Sequence, residues 1–268
     1  MDIANAYGAE QAHAYFNDCH FQTQDPMCFY GLAYTWYMMG ENDKSIEMVE
    51  YLLAAQPAGD KFNGHCWALM GANRIWMREF EAAQEPLEKA LAYYKKAGHK
   101  RNMFKVLVQL GNGKLRAGHL EEADRYFERA TFLAISEKVN KGHLYSLRGI
   151  SAYTQEKKAV ALNFAQLAFL EHEEIGDRRA MVDSRAYIAF FQYETGKQKE
   201  AEFSIQQAKE MSEILEIEPT TWATLVEAYI KKCEQPEHYK NTVVSNLSEE
   251  KGYFLRRFME LTRKKPCP

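Results

Sequence analysis

Eight histidines and five cysteines are the residues of this chain best equipped for metal or nucleophilic chemistry. Their spacing does not assemble it. No two histidines stand four apart around a carboxylate base, the arrangement a metal hydrolase helix needs. Cys19-His20 and His65-Cys66 are adjacent pairs, and neighbouring residues of a helix point in different directions, so neither pair can pinch an ion. Glu171-His172-Glu173-Glu174 reads as a solvated helix face. There is no P-loop, no GxGxxG, no GxSxG and no glycine-rich loop able to cradle phosphate. These residues predict a protein that is not an enzyme and uses neither cofactor nor metal. The cysteines (Cys19, Cys28, Cys66, Cys233, Cys267) are odd in number and lack CxxC spacing, which predicts reduced thiols and a cytoplasmic setting.

The elements that carry these residues are repeats. A small residue recurs at Ala33, Gly71, Gly111, Gly149 and Ala189, and a second at Ser45, Ala83, Ala123, Ala161 and Ala201. Both columns advance by 38, 40, 38 and 40 residues. Further columns follow at Val49, Leu87, Phe127, Ala165 and Ile205, then at Leu52, Ala90, Ala130, Ala168 and Ala208. Within each copy apolar residues return every three or four positions, and no stretch alternates with period two for long, so each copy predicts two amphipathic helices. Helix A is expected at 26–39, 62–77, 100–117, 140–155 and 178–195. Helix B is expected at 42–56, 80–96, 120–137, 157–175 and 198–216. Gly40, Gly118 and Gly196 sit where helix A must stop. The small columns have a steric reason: antiparallel helices approach closely only where one contact residue lacks bulk. An interior helical glycine costs ~1 kcal/mol relative to alanine, so three of them signal a packing demand.

The run Trp67…Met70-Gly71…Ala83…Leu87…Ala90, repeated as Leu107…Leu110-Gly111…Gly118…Ala123…Phe127…Ala130, resembles the tetratricopeptide repeat family with its W-x2-L-G and A-x3-F…P columns, and the first copy has the terminal proline at Pro57. Here the period is 38–40 residues rather than 34, similar to the extended repeats of bacterial peptide receptors and scaffolds. The resemblance implies an all-α fold, a right-handed α-solenoid of helix-turn-helix repeats with capping helices. It covers residues 26–216 as five repeats. Residues 1–25 then supply an N-terminal cap through Ala4, Ala6, Tyr7, Ala12, Tyr15 and Phe16. Residues 217–268 supply C-terminal capping helices near 220–233 and 248–263, with Trp222, Leu225, Tyr229, Phe254, Phe258 and Leu261 inward and loops at 235–236 and 241–248.

In such repeats the resemblance implies that helix A lines a concave wall. Carried onto this sequence, the groove residues include Tyr30, Tyr34 and Tyr37 in the first copy and Ile75 and Trp76 in the second. Lys105, Asn112 and Arg116 follow in the third, His143 and Tyr153 in the fourth, and Phe190 and Tyr193 in the fifth. His65, Val108, Leu115 and Glu194 belong to the same implied set. Tyrosine and tryptophan give contact area at low entropic cost and keep a polar tip. The Asn112 amide can donate to and accept from a peptide backbone at once. Lys105 and Arg116 lie one to two turns away and suit a carboxylate. The lysine and asparagine with which some tetratricopeptide cochaperones begin a carboxylate clamp are replaced by Tyr30 and Tyr34, so a ligand ending Glu-Glu-Val-Asp is not expected.

Composition narrows the function classes. Of 268 residues 46% are apolar, 26% charged, and Gly plus Pro number 22, which excludes disordered and collagen-like chains. Net charge is −3, so no nucleic-acid partner is expected. No apolar run approaches the ~20 residues that span a bilayer, and the first 25 residues hold no Lys or Arg, so neither a membrane nor a secretory leader is expected. Residues 1–60 carry nine acidic side chains against Lys44, and residues 251–268 carry six basic ones against Glu260. The expected function is a protein-interaction module that takes an extended peptide or helical segment of a protein partner into the groove. A signalling-peptide-responsive bacterial regulator and a class II type III secretion chaperone are the alternatives. Self-association through the Tyr/Trp-rich first two copies is a further expectation.

Overall fold

The computed structural model describes residues 8–55, 59–217, 220–232 and 234–247. Among these it contains thirteen α-helices and no strand. They fall into two compact units that divide between Val139 and Asn140.

The first unit holds α1 (Ala9–Thr23), α2 (Pro26–Met38), α3 (Asn42–Ala54), α4 (Asp60–Trp76), α5 (Phe80–Lys96), α6 (Lys100–Ala117) and α7 (Leu120–Glu137). The A and B helices lie within two residues of the positions set by the apolar period. Asp25 caps α2 by accepting from the Met27 N–H at 2.8 Å, with Pro26 opening the helix. Gly118 ends α6 in the left-handed region at φ 88°, where glycine carries no Cβ penalty.

The repeated small residues lie where helices cross. A Cβ placed on Gly71 would stand 2.4 Å from Leu87 Cγ, and one on Gly111 would stand 2.4 Å from Phe127 Cε1. Ala83, Ala123, Leu87 and Phe127 are all buried beneath them. Burial of such Leu and Phe side chains is worth about 1.5–3 kcal/mol each, and the glycines make that approach sterically available. Ser45 in α3 donates to the Ala33 carbonyl at 2.7 Å and receives the Asn73 amide at 2.9 Å, tying α2, α3 and α4 through a buried polar link.

α1 covers α2. Ala12 is buried, Phe16 lies on Gly31, and His13 Nδ1 is 2.9 Å from Thr35 Oγ1. Ala4, Ala6 and Tyr7, also assigned to this cap, lie outside the described residues, as does Pro57. One expectation is overturned here. Cys19 and Cys28 are joined in a disulfide, their Cα atoms 5.9 Å apart, rather than standing as reduced thiols. The short turn between α1 and α2 brings the end of one helix onto the start of the next, a juxtaposition that residue spacing alone does not reveal. Cys66 is a free, buried thiol; Cys233 and Cys267 lie outside the described residues.

The second unit holds α8 (Gly142–Thr154), α9 (Lys158–Ile175), α10 (Arg178–Glu194), α11 (Gln198–Ile214), α12 (Thr221–Ile230) and α13 (Pro236–Leu247). Its core gathers Phe190, Phe191, Leu225, Val226 and Tyr229, so α12 packs with α10 and α11 through Trp222, Leu225 and Tyr229. Helix α13 occupies a segment expected to be loop. Pro236 stands at its first position, where a missing N–H costs nothing, so the proline that reads as a breaker is a helix starter. His172 is not on a solvated face: it is buried against Gly142, with Nδ1 2.8 Å from Ser184 Oγ. The cap at 248–263, with Phe254, Phe258 and Leu261, and the basic stretch 251–268 lie outside the described residues.

Candidate functional site

Within the first unit α2, α4 and α6 bound a cavity of about 220 Å³. Its apolar side is the phenol series Tyr30, Tyr34 and Tyr37, which recur every three or four residues and therefore share one face of α2. Its floor is Ala68, Leu69 and Ala72 of α4, where small side chains leave room. Tyr94 of α5 closes one end, its hydroxyl 2.8 Å from His65 Nδ1. The far side is Asn102, Lys105, Val106 and Gln109 of α6.

No aspartate or glutamate lines this cavity. Burial raises the Tyr30 and Tyr94 hydroxyls well above the ordinary phenol range and raises Tyr34 and Tyr37 in the same direction. All four stay neutral at physiological pH and present O–H groups. Burial, reinforced by the charges of Lys61, His99 and Lys105, lowers His65 to about 4, so it too is neutral. The remaining charge at the lining is the Lys105 ammonium, which is exposed. Among the described residues Lys105 forms no ion pair. The side-chain amides of Asn102, Gln109 and Asn112 likewise make no hydrogen bond. A positive recess lined by no carboxylate, with idle amides, favours a ligand that brings carbonyls or a carboxylate.

Asn102, Lys105, Gln109, Asn112 and Arg116 succeed one another at steps of three, four, three and four, so they form one stripe along α6. At ~1.5 Å rise per residue the stripe runs about 21 Å, the length of roughly six residues of extended chain at ~3.3 Å each. Trp76 Nε1 donates to the Tyr37 hydroxyl at 2.7 Å across α4 and α2, while the Trp76 ring stays exposed. Arg116 is half-buried with its guanidinium 5.1 Å from the Phe80 ring.

The residues assigned to a groove from sequence therefore part company. Tyr30, Tyr34, Tyr37 and Lys105 meet at the cavity, joined by His65. Asn112 and Arg116 continue the α6 stripe, and Trp76 joins Tyr37. Ile75, Val108 and Leu115 are buried in the first unit's core. In the second unit His143 is exposed on α8, while Phe190 is fully buried and Tyr153 nearly so. Tyr153 donates to Glu194 Oε2 at 3.0 Å, and Tyr229 donates to Glu194 Oε1 at 2.7 Å. With Lys158 Nζ 3.4 Å from the same carboxylate, whose side chain is 3% exposed, this is an interior polar knot rather than a wall. The half-buried Tyr193 ring packs edge-on against Tyr229.

Tyr94, Asn102 and Gln109 were not assigned from sequence. Asn102 and Gln109 are legible as members of the α6 stripe once the helix is phased on Lys105 and Asn112. Tyr94 comes from a B helix, which the implied pattern leaves out. Among the described residues no group of three or more His, Cys, Asp or Glu is placed to hold a metal, and no helix is long and apolar enough to cross a membrane.

Solved structures share this fold. Aspartyl phosphate phosphatase F from Bacillus subtilis is 14% identical with a TM-score of 0.75, over 90% of this chain and 66% of that one. BtubC from P. vanneervenii is 14% identical with a TM-score of 0.62, over 79% and 91%. The Rap conjugation gene regulator of plasmid pLS20, solved in complex with the Phr* peptide, is 16% identical with a TM-score of 0.71, over 85% and 66%. This chain thus spans about two thirds of the first and third of these proteins. At such identities the likeness is one of fold, and it extends to structures of kinesin light chain tetratricopeptide-like repeats, 14% identical with a TM-score of 0.56. No protein-family model matches the sequence, and no curated protein does.

Proposed function

We propose that the chain is a non-enzymatic interaction module that captures an extended peptide segment of a protein partner between the α2 phenols and the α6 polar stripe. The observation that carries this reading is the α6 stripe itself: unpaired amides and an unpaired ammonium facing a carboxylate-free aromatic recess. An amide that both donates and accepts reads peptide backbone without regard to side-chain identity. The phenols supply contact area at little entropic cost. Lys105 adds preference for a ligand carboxylate. A helical ligand satisfies its own backbone and would leave the amides idle, so the stripe favours the extended form.

A signalling-peptide-responsive regulator is the more specific form of this reading. It is favoured by the shared fold with a Rap regulator solved with a peptide.

The test is capture from a fluorescent random-hexapeptide library, read by anisotropy, with the wild type and with Asn112→Ala, Lys105→Ala and Tyr34→Ala. Each variant should weaken capture about 5- to 50-fold, the effect of losing one charged or amide hydrogen bond or one aromatic anchor. Unchanged capture by all three, with unchanged melting, refutes the assignment.

A further inference from the structure

The cavity between α2, α4 and α6 is stopped at one end by the Tyr94 ring of α5. That ring is 2% exposed, and it lies so close to Gly64 that a Cβ there would stand 2.8 Å from Tyr94 Cε1. A ring packed onto backbone and shut off from solvent is fixed in place. Tyr30, His65 and Lys105 are the fifth or sixth residues of α2, α4 and α6. Antiparallel packing within each repeat makes these three first helices run parallel, so the three residues stand at one level along them. The Tyr30 and His65 ring centroids are 5.8 Å apart, and those of His65 and Tyr94 are 5.5 Å apart, which puts that level at the closed end.

Each group there has a donor to spare. Tyr30 is 7% exposed and lines the cavity, and among the described residues its hydroxyl has no hydrogen-bond partner. The Tyr94 hydroxyl and His65 Nδ1 share one hydrogen bond of 2.8 Å, whereas a neutral phenol and a neutral imidazole bring two hydrogens. Whichever tautomer His65 holds, one of the two is left for a third group. Lys105 adds an ammonium. The charged groups that bear on His65, namely Lys61, His99 and Lys105, are all basic. No carboxylate of the lining answers them, and Asp60, at the start of α4, is held by Lys96 at 3.1 Å. A buried hydroxyl without an acceptor is costly, so this end is built for an acceptor that arrives with the ligand.

We propose that the closed end holds the free C-terminal carboxylate of the captured peptide, which therefore runs antiparallel to α6, from Arg116 towards Asn102. The inference rests on the peptide capture proposed above and adds its polarity. An extended chain that follows the α6 stripe cannot continue past Tyr94, so one of its termini lies there. Lys61 and Lys105 repel an N-terminal ammonium and attract a carboxylate. A carboxylate takes several donors at once, enough for Tyr30, the Tyr94–His65 pair and Lys105. A neutral carbonyl in its place would leave the ammonium uncompensated. Gln109 and Asn112 then meet the backbone of the preceding residues.

Two N-terminally labelled hexapeptide libraries, random but free of Asp and Glu, test this by anisotropy with the full chain. One ends in a free carboxylate and the other in a C-terminal amide. The wild type should bind the free-acid library about 10-fold or more tightly, the effect of one charge-assisted hydrogen bond. Tyr30→Phe and Lys105→Ala should each cut that ratio to about 3-fold or less. Asn112→Ala should weaken both libraries alike and keep the ratio, because it lies away from the terminus. A general loosening of the fold lowers affinity for both libraries and does not erase discrimination between them. Capture that ignores amidation overturns the inference and leaves the groove reading standing, as does a ratio unchanged by both Tyr30→Phe and Lys105→Ala. A third library, amidated but carrying one fixed Asp, should bind no better than the plain amide; binding equal to the free acid would put the carboxylate on a side chain and overturn the terminal assignment. Failure to capture any of the three refutes the groove reading and this inference together.

Discussion

Gly111→Ala offers the sharpest check on why the small residues recur. A Cβ there would stand 2.4, 2.6 and 3.0 Å from Cε1, Cδ1 and Cζ of Phe127, whereas carbons in contact prefer 3.5–4.0 Å. Phe127 is fully buried, so its ring has nowhere to retreat. Overpacking of this kind costs about 1–3 kcal/mol. Three overlapping ring atoms put the site at the upper end, and the ~1 kcal/mol that alanine gains over glycine in a helix offsets part of it. The net expectation is a loss of about 2 kcal/mol. Gly149 occupies the same repeat column, yet its Cβ would meet the Ala161 carbonyl oxygen at 3.4 Å and Phe164 Cβ at 3.5 Å, ordinary contact. Gly149→Ala should therefore be neutral or stabilising by up to ~1 kcal/mol. Urea denaturation followed by circular dichroism measures both through the shift in midpoint at unchanged slope. Phe127→Leu should rescue Gly111→Ala by half or more, because the two changes share one contact. If both glycine variants shift stability in the same direction, close helix approach is not the reason for the column.

Removing the Glu194 carboxylate should be costly. Glu194→Ala removes the carboxylate that accepts from the buried hydroxyls of Tyr153 and Tyr229 and should destabilise the second unit by about 3 kcal/mol; a loss below ~1 kcal/mol would mean that the carboxylate is not what holds this part of the core. Reduction with a dithiol should lower stability by about 2–3 kcal/mol through release of the short loop closed by Cys19 and Cys28. Cys19→Ser should abolish that response; equal melting with and without reductant counts against the bond. Acid should weaken the first unit through His65. Its folded pKa of about 4 lies below the unfolded value near 6.5, so the unfolded chain takes up the proton first. Stability conferred by neutral His65 is then present above pH 6.5 and lost as pH falls toward 4. His65→Gln should flatten that part of the melting-temperature profile, and an unaltered slope would exclude His65 as its source.

The repeat helices were legible because two independent signals agree on them. The apolar period sets their phase, and the small columns set where they cross. Helix ends followed from glycine at Gly40, Gly118 and Gly196, all three at positive φ. Legibility failed where only one signal was present. Pro236 alone read as a break, and nothing in the spacing of Cys19 and Cys28 distinguished a turn that joins them from a helix that separates them. His172 was misread because a polar run at a helix end resembles a solvated face. Only the partner across the crossing, Ser184 above and Gly142 beside it, makes it an interior residue.

The residues around the first unit's cavity were legible for a different reason, and only in part. A wall position on a repeat helix and a core position differ by a single step of about 100° around the axis, and an aromatic residue satisfies either environment. Tyr34 and Phe190 cannot be told apart by type. What separates them is whether the opposing helix offers small side chains or large ones. Ala68 and Ala72 leave the α2 tyrosines facing open space, whereas Trp222 and Tyr229 close over Phe190 and Tyr153. Polar residues suffer no such ambiguity. An interior position would charge Asn102, Lys105, Gln109 and Asn112 a desolvation penalty of about 1–3 kcal/mol apiece if left unpaired, so a stripe of them on one helix face must look out on solvent or on a ligand. The α6 stripe is thus a stronger pointer to the proposed binding surface than the aromatic residues opposite it.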